Sequence, residues 1–511
     1  ATNKTTSSTF RIKVPKVLNL EKSGIFSKLP RKNISNLDTS DSNLIIQRQI
    51  RNQSVSGNSL ILTSQAGLDA TVGINSVFFE PFDVERYSIT YQDGSTEPLT
   101  SDQVTISDNA ETITFSGLAK GTASEVTVGV TLKKVGASSK SKDYIRSQQL
   151  EVTRTSGVNT LNGLTSHDAY GIRVEDKEIS LNIPDVVKIL AVYESKTTST
   201  PVLDKVKFVS GLSLNTTAII GEKIVGKDTR AIGQIVSVPN STDVNFVYLN
   251  GNKFAIGEVV EFKESGIETI LQDTEKGNFI DRTDNYTLDK GHKLQYCDFS
   301  KIVRKSKSAI PSKKLLIIFD KYQVASGNTG DFFSVNSYTK ERYTKDIPLV
   351  GEDRSTDLID FRPRVNPYSV TAGKSPFAFA SRTFESTNPY VVAPKESSIL
   401  GYSFYLPRID KLVINQYGEV KLIKGESAEE AVPPTEEGNS MEIAEISLPA
   451  YLYDTVRHPY VRLCDNKRFT MRDIGELEKR IENLELTTTL SALEVNAQSF
   501  EVRDADGLNR F

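Results

Sequence analysis

Short runs of alternating apolar and polar residues dominate the chain and predict strands rather than helices. Residues 84–100 read VERYSITYQDGSTEPLT and contain an Asp-Gly turn pair; residues 112–118 (TITFSGL) and 125–135 (EVTVGVTLKKV) continue the alternation. A period of two turns one face of each strand toward a core, and an Asp-Gly pair is typical of tight hairpins. The turn spacing is that of a β-sandwich, so we predict an immunoglobulin-like or fibronectin-III-like sandwich over residues 66–155.

A short internal repeat marks the next segment, residues 156–310. Ile220–Val225 reads IGEKIV and Ile256–Val260 reads IGEVV, so Gly221 and Gly257 stand 36 residues apart. Glycine suits the sharp bend at the corner of a small barrel. Two related hairpins of this kind predict a β-barrel-like module.

Strand patterns continue through residues 311–465. KLLIIFDKY at 314–322 is a buried-type run, and residues 410–425 (DKLVINQYGEVKLIKG) read as a hairpin. An acidic loop with two prolines follows at 425–440, before another extended run at 441–453. We predict a further β-domain here.

The pattern changes to a helical one in the last segment, residues 466–511. Thr470 and Asp473 form a Thr-x-x-Asp start signal. Apolar residues then recur at spacings of three, four and three, which a period of two does not produce. They are Ile474, Leu477, Ile481 and Leu484. A second apolar stripe follows, out of phase with the first, at Leu486, Leu490, Leu493 and Phe500. Thr487–Thr489, between the two stripes, is weak in helix propensity.

The centre of this helix carries the most specific short motif of the chain. Residues 480–485 read RIENLE and fit the pattern Arg, apolar, two residues, apolar, Glu, which resembles a trimerisation motif of short coiled coils. Ile481 falls at heptad position a, Leu484 at d, Arg480 at g and Glu485 at e. We predict self-association, with a trimer favoured, through Ile474, Leu477, Arg480, Ile481, Leu484 and Glu485. The alternative is an amphipathic helix packed on its own chain, since about two heptads is short.

The N-terminal segment, residues 1–65, is rich in Ser, Asn, Thr and Lys. Eight of its first 33 residues are Lys or Arg, against a single acidic residue, Glu21. One interpretation is an extended basic arm that docks on a partner subunit; the other is a solvated tail. The candidate docking residues are Arg11, Lys13, Lys16, Arg31 and Lys32.

Composition narrows the classes of function. The 511 residues carry a net charge of −3 and contain three histidines, two cysteines and no tryptophan. We expect no nucleic-acid binding, no membrane span, no secretory signal, no disulfide framework and no metal or cofactor. Neither Cys297 nor Cys464 shows CxxC spacing, and we expect neither to have a histidine partner. No HExxH, GxSxG, Walker A or GxGxxG motif is present, so we expect no enzyme.

The order of several C-terminal motifs resembles large virion structural proteins of contractile-tailed, T4-like bacteriophages, especially cyanophages. The motifs are VGEDRSTDLIDFRPRV (350–365), the hairpin run at 403–425, the run PPTEEGNSMEIAEISLPAYLYD at 433–454, RFTMRDIGELEKRIENLE (468–485) and DADGLNRF (504–511). The resemblance covers residues 340–511 well and the segment 66–310 only by module type.

The resemblance implies a non-enzymatic component of a tail baseplate or of a fibre attached to it. Its partners would be other virion proteins, and it would be made in the bacterial cytoplasm and carried in the virion. The fold expected is mainly β, with several small sandwich and barrel domains in series and a short C-terminal coiled-coil helix. The alternatives are a receptor-binding fibre adhesin, a tail-associated glycan hydrolase and a bacterial surface adhesin.

Overall fold

The computed structural model describes residues 3–11, 26–65, 76–153, 170–171, 173–325, 330–368, 376–384, 390–393, 396–435, 438–465, 469–499 and 507. The chain forms two compact units, Ala1–Leu406 and Pro407–Phe511. Over the described residues the fold is mainly β, with many small sheets, a six-stranded barrel and a long C-terminal helix. The predicted fold class is therefore confirmed.

The strands are short, apart from a few long ones in the first unit. Strands β1–β11 are Asn3–Arg11, Phe26–Lys28, Ile34–Ser56, Leu60–Thr63, Val77–Phe79, Ser88–Thr90, Thr96–Glu97, Val104–Ile106, Thr112–Phe115, Thr122–Val135 and Lys142–Val152. Strands β12–β24 are Tyr170–Gly171, Glu178–Ser180, Val186–Ser195, Asp204–Phe208, Lys223–Gly226, Ile232–Ser237, Asp243–Tyr248, Val259–Phe262, Glu268–Glu275, Phe279–Asp281, Tyr286–Asp289, Lys301–Arg304 and Leu315–Val324.

Strands β25–β33 are Leu349–Val350, Asp353–Arg354, Leu358–Asp360, Tyr390–Val392, Ser397–Tyr405, Arg408–Asn415, Val420–Ile423, Ser440–Leu448 and Tyr460–Leu463. The α-helices are α1, Leu214–Thr217, and α2, Met471–Gln498. Single-turn 3-10 helices are found at Ser101–Gln103, Thr283–Asn285, Val335–Ser337, Lys340–Arg342, Ser355–Asp357 and Phe379–Ser381.

The N-terminal part of the first unit is a sandwich built around one long strand. β3 pairs with β10 and with β29, in a sheet ordered β1-β29-β3-β10-β6-β7 with β5 and β28 attached. The smaller sheet β4-β9-β8 completes the sandwich, and the ring of Tyr87 meets that of Phe115 edge-on at 6.3 Å. β3 lies within the predicted arm, residues 1–65, so this part of the predicted arm is a central strand instead.

A second sandwich forms from strands that are far apart in the sequence. The sheets β11-β24-β14-β21 and β12-β13-β23-β22 enclose one core, which includes Val192, Ile302, Ile317 and Phe319. Pairing of β11 with β24 joins the predicted segments 66–155 and 311–465. Pairing of β3 with β10 likewise crosses residue 65. The predicted divisions at residues 65, 155 and 310 therefore do not coincide with sheet boundaries.

The two predicted IGE hairpins do close a barrel, in the order β15-β18-β17-β16-β19-β20. Its interior is filled by apolar side chains, among them Phe208, Phe246 and Phe262. Gly221 has φ of 83° and Gly257 has φ of 89°, a left-handed conformation that glycine adopts without strain. The prediction of barrel corners at these two glycines is confirmed.

The glutamates that follow the two glycines tie the two hairpins together reciprocally. The buried carboxylate of Glu222 accepts hydrogen bonds from the backbone N–H groups of Ile219 (2.7 Å), Glu264 (3.1 Å) and Ser265 (3.0 Å). Glu222 therefore reaches both its own turn and the turn of the other hairpin.

The second hairpin repeats this arrangement 36 residues later. The buried carboxylate of Glu258 accepts from the N–H groups of Ala255 (2.7 Å) and Thr229 (3.2 Å), and Thr229 precedes Ser265 by the same 36 residues. The glutamate of each hairpin accepts hydrogen bonds from its own turn and from the turn of the other hairpin. The IGE repeat thus has a structural explanation.

Candidate assembly surface

The C-terminal helix α2 begins where the sequence predicts. The Thr470 hydroxyl accepts from the Asp473 N–H, and the Asp473 carboxylate accepts from the Thr470 N–H at 2.8 Å. This reciprocal capping box satisfies N–H groups that have no partner inside the helix. The hydrogen bond from the Thr470 hydroxyl lowers the pKa of Asp473, so its negative charge is retained beside the positive end of the helix dipole.

The helix then runs without a break through the predicted weak stretch. It has 28 residues and, at about 1.5 Å per residue, a length of about 42 Å. The hydroxyls of Thr487, Thr488 and Thr489 donate to the carbonyls four residues earlier, at 2.6, 2.5 and 2.8 Å. These bonds satisfy the hydroxyl groups within the helix.

The four apolar residues of the predicted heptad pattern are exposed to solvent. We call Ile474, Leu477, Ile481 and Leu484 the first seam; their exposed fractions are 48, 42, 56 and 64%. No residue of α2, all of which the structure describes, is buried. This face of α2 therefore does not pack on the described residues of its own chain.

The flanking charges of the first seam are exposed as well. Arg480 and Glu485 lie on the solvent-facing surface of α2, beside Ile481 and Leu484. An ion pair 3.6 Å long joins Arg472 to Glu476, one turn apart near the helix start. Arg480 and Glu485 are five residues apart, which is not the three- or four-residue spacing that brings two side chains together on one helix.

Among the described residues of the second unit, the sheet also leaves much apolar surface exposed. It is ordered β31-β30-β32-β33, and Leu412 stands opposite both Leu422 and Ala444, with Leu463 opposite Ala444 on the far side. This row crosses all four strands on one face. Leu422 is 43% and Leu463 is 74% exposed.

Adjacent positions of the same sheet extend this bare face. Val420, Met441 and Val461 are 61, 52 and 51% exposed. In the described part of the second unit, Val413 and Ala444 are the buried apolar side chains. The described residues of this unit therefore leave a large part of their apolar area in contact with water.

The three described residues of the predicted basic arm, Arg11, Arg31 and Lys32, lie at different places in the structure. Arg31 and Lys32 are exposed in the turn before β3, with the Arg31 guanidinium 5.5 Å from the Phe404 ring centre. Arg11 ends β1 opposite Ser397. Lys13 and Lys16 lie outside the described residues, and the docking role of all five residues stays a prediction.

A buried polar cluster in the first unit corrects one expectation. Cys297 does have a histidine partner, because a β-bridge sets His292 opposite it across a tight turn. His292 Nδ1 lies 3.8 Å from Cys297 Sγ, and its Nε2 lies 3.5 Å from Asp185 Oδ1. Burial, with a further contribution from Asp185, raises the pKa of the Cys297 thiol to about 12, whereas burial lowers that of His292 to about 4.

His, Cys and Asp side chains commonly bind zinc, and Asp185, His292 and Cys297 form such a set. The carboxylate of Asp185 already accepts from Lys142 (3.0 Å) and Arg364 (2.5 Å). Burial opposes its ionisation, yet Arg364 and Lys142 hold its pKa well below the ordinary value. Arg362, paired with Asp360 at 2.8 Å, adds a third buried cation.

Three cations therefore surround two carboxylates at this place. A divalent ion would add two positive charges to a buried group that is already net positive, which is strongly unfavourable. The three candidate ligand atoms, one each from Asp185, His292 and Cys297, do lie within 4.8 Å of one another, so it is the surplus of positive charge that disfavours an ion. The residues do not fit a metal centre, and the cluster serves to join distant strands.

A pocket of about 460 Å³ lies next to this cluster, between β13, β22 and the segment at 376–382. Its charged side chains are paired with one another. Asp298 accepts from both Arg382 (2.6 Å) and Lys293 (2.6 Å), and Lys301 pairs with Glu178 at 2.7 Å. His292 also lines the pocket, and the Cys297 thiol beside it is completely buried and has its pKa raised to about 12.

Comparison with known proteins gives one match. Residues 371–508 match the family described as "Domain of unknown function (DUF4815)". This range includes β29, the sheet of the second unit and α2. No curated protein and no solved structure matches the chain. Among the described residues, no helix is both long enough and apolar enough to span a membrane.

Proposed function

We propose that the chain is a structural assembly protein that forms a homotrimer through the first seam of α2. One observation carries the proposal: an unbroken capped helix leaves four heptad-spaced apolar side chains 42–64% exposed. Such a seam is stable in water when copies pack their side chains into one another. The bare sheet face of the same unit adds area for further contacts with neighbouring proteins.

The RIENLE positions support the choice of three copies. In a trimer the stem of Arg480 covers the apolar seam, and its guanidinium meets the Glu485 carboxylate of the next copy. An exposed pair contributes about 0–1 kcal/mol, so its role is to select register and copy number rather than to supply affinity.

The setting we propose is the tail of a contractile phage, in its baseplate or in a fibre attached to it. This rests on the resemblance of residues 340–511 to virion structural proteins. A short coiled coil suits the fixing of symmetry in such an assembly. The proposed role is mechanical, so incubation with envelope polysaccharide of the host is expected to release no reducing sugar.

The test is the solution mass of the chain and of a variant with Ile481→Asp and Leu484→Asp. The wild type is expected to be an oligomer, and the variant a single chain, because carboxylates in the seam face one another at close range. The matched control carries Gly475→Asp and Lys479→Asp, which put two carboxylates on the outer face of the same helix. A variant that keeps the wild-type mass would refute the proposal.

A further inference from the structure

The second apolar stripe of α2 lies on the opposite side of the helix from the first seam. We call Leu486, Leu490 and Leu493 the second seam; their exposed fractions are 59, 50 and 64%. At about 100° per residue, the centres of the two seams are about 170° apart around the helix. A single straight coiled coil covers one face of a helix, so copies that pack on the first seam leave the second one bare.

The heptad frame leads to the same conclusion. With Ile481 at a and Leu484 at d, Leu486 and Leu493 fall at f and Leu490 falls at c. These positions are the farthest from the axis of a coiled coil. The proposed trimer therefore carries three identical leucine stripes on its outside. The inference rests on the proposed self-association to this extent, because it assigns the first seam to the other copies.

The charges beside the second seam have one sign. Between Ile481 and Ser499 there are three acidic residues and no basic one. Glu482 and Glu494 stand on either side of the second seam, about 50° and 70° from its centre. In the heptad frame of the second seam they are at the g and e positions, which carry the charges that select a partner helix.

We propose that the second seam is a docking site for a basic amphipathic helix of a different chain. Leucines spaced by four and then three residues match the knobs of a helix that packs on another helix. Lysines or arginines flanking the apolar face of that partner would meet Glu482 and Glu494. A further copy of this chain fits poorly, because its own second seam offers only acidic and neutral residues to this face.

The probe is a synthetic three-heptad peptide with Leu at a and d and Lys at e and g. A matched peptide has Glu at e and g. Fluorescence anisotropy with the full-length chain is expected to show the Lys peptide binding at least about tenfold more tightly than the Glu peptide. The double variant Leu490→Gln, Leu493→Gln is expected to lose at least about tenfold in affinity, since it removes the apolar contact.

The charge-reversal variant Glu482→Lys, Glu494→Lys is expected to prefer the Glu peptide, which separates specific docking from general attraction to a cation. Light scattering on every variant is expected to give the wild-type mass.

Equal binding of the two peptides, absence of binding by the Lys peptide, or undiminished binding by the glutamine variant would overturn the inference. A fall in mass of the glutamine variant would also overturn it, because a second copy would then cover the second seam. A wild-type mass of one chain would overturn the self-association alone, since the peptide assay reads the leucine stripe directly.

Discussion

The reciprocal glutamates of the barrel give the sharpest prediction for stability. Replacing Glu222 with alanine removes the acceptor for three backbone N–H groups, those of Ile219, Glu264 and Ser265. The Glu222 side chain is completely buried, so no water lies ready to replace it. Glu258→Ala removes the acceptor for two such groups. We therefore expect both variants to weaken the barrel, and Glu222→Ala to weaken it more.

The size of the effect follows from the number of donors left without a partner. A hydrogen bond to a charged group contributes about 1.5–3 kcal/mol, and the losses at one carboxylate are not additive. We expect about 3–5 kcal/mol for Glu222→Ala and about 2–4 kcal/mol for Glu258→Ala. Glu222→Gln is expected to lie between Glu222→Ala and the wild type, because its NH₂ group must face one of the backbone donors.

Hydrogen exchange read by mass spectrometry measures this directly in the full chain. At about 1.4 kcal/mol for each tenfold change, amides of β16 and β19 should exchange about 10²- to 4 × 10³-fold faster in Glu222→Ala. The control is Glu268→Ala, which removes an exposed partner of Lys227 and should change exchange little. Exchange in the Glu222 variant that matches this control would refute the reasoning about reciprocal carboxylates.

Three further predictions concern the buried cluster. In the native chain a thiol reagent at pH 8 should modify the half-buried Cys464 and spare Cys297, whose pKa is about 12; modification of both before unfolding would contradict this. Because the pKa of His292 is lowered to about 4, urea stability should fall as pH drops from about 6.5 to 4. Burial opposes the ionisation of Asp360, but Arg362 and Arg364 overcome it and hold the pKa of Asp360 at about 2. Urea stability should therefore fall again as pH drops from about 4 to 2. The Arg364→Met substitution leaves a buried carboxylate short of its closest cation and should cost about 3–5 kcal/mol, measured as a lower urea midpoint.

Local chemistry made the helix and the barrel predictable from the sequence. The start of α2 is set by two residues, Thr470 and Asp473, three positions apart. The barrel corners are set by Gly221 and Gly257, each of which needs a positive φ. In both cases the deciding interactions lie within a few residues, so a short window of sequence contains them.

Long-range pairing explains what the sequence did not reveal. β3 carries Ser, Asn, Gln and Arg among its apolar residues, which makes it look like a polar arm until its two neighbours are known. Asp185 and Arg364 are 179 residues apart, and nothing in either segment points to the other. The contact between His292 and Cys297 is local, but it depends on a tight turn that cannot be predicted from a spacing of five residues.

The mass of the chain in solution shows whether α2 sets the number of copies in the assembly. Light scattering should be run on the full chain and on a chain that ends at Cys464, which lacks α2. We expect three times the 56.5 kDa of one chain, about 170 kDa, for the first and a single chain for the second. A single chain in both cases, or an oligomer that survives the truncation, would contradict the claim that α2 sets the copy number.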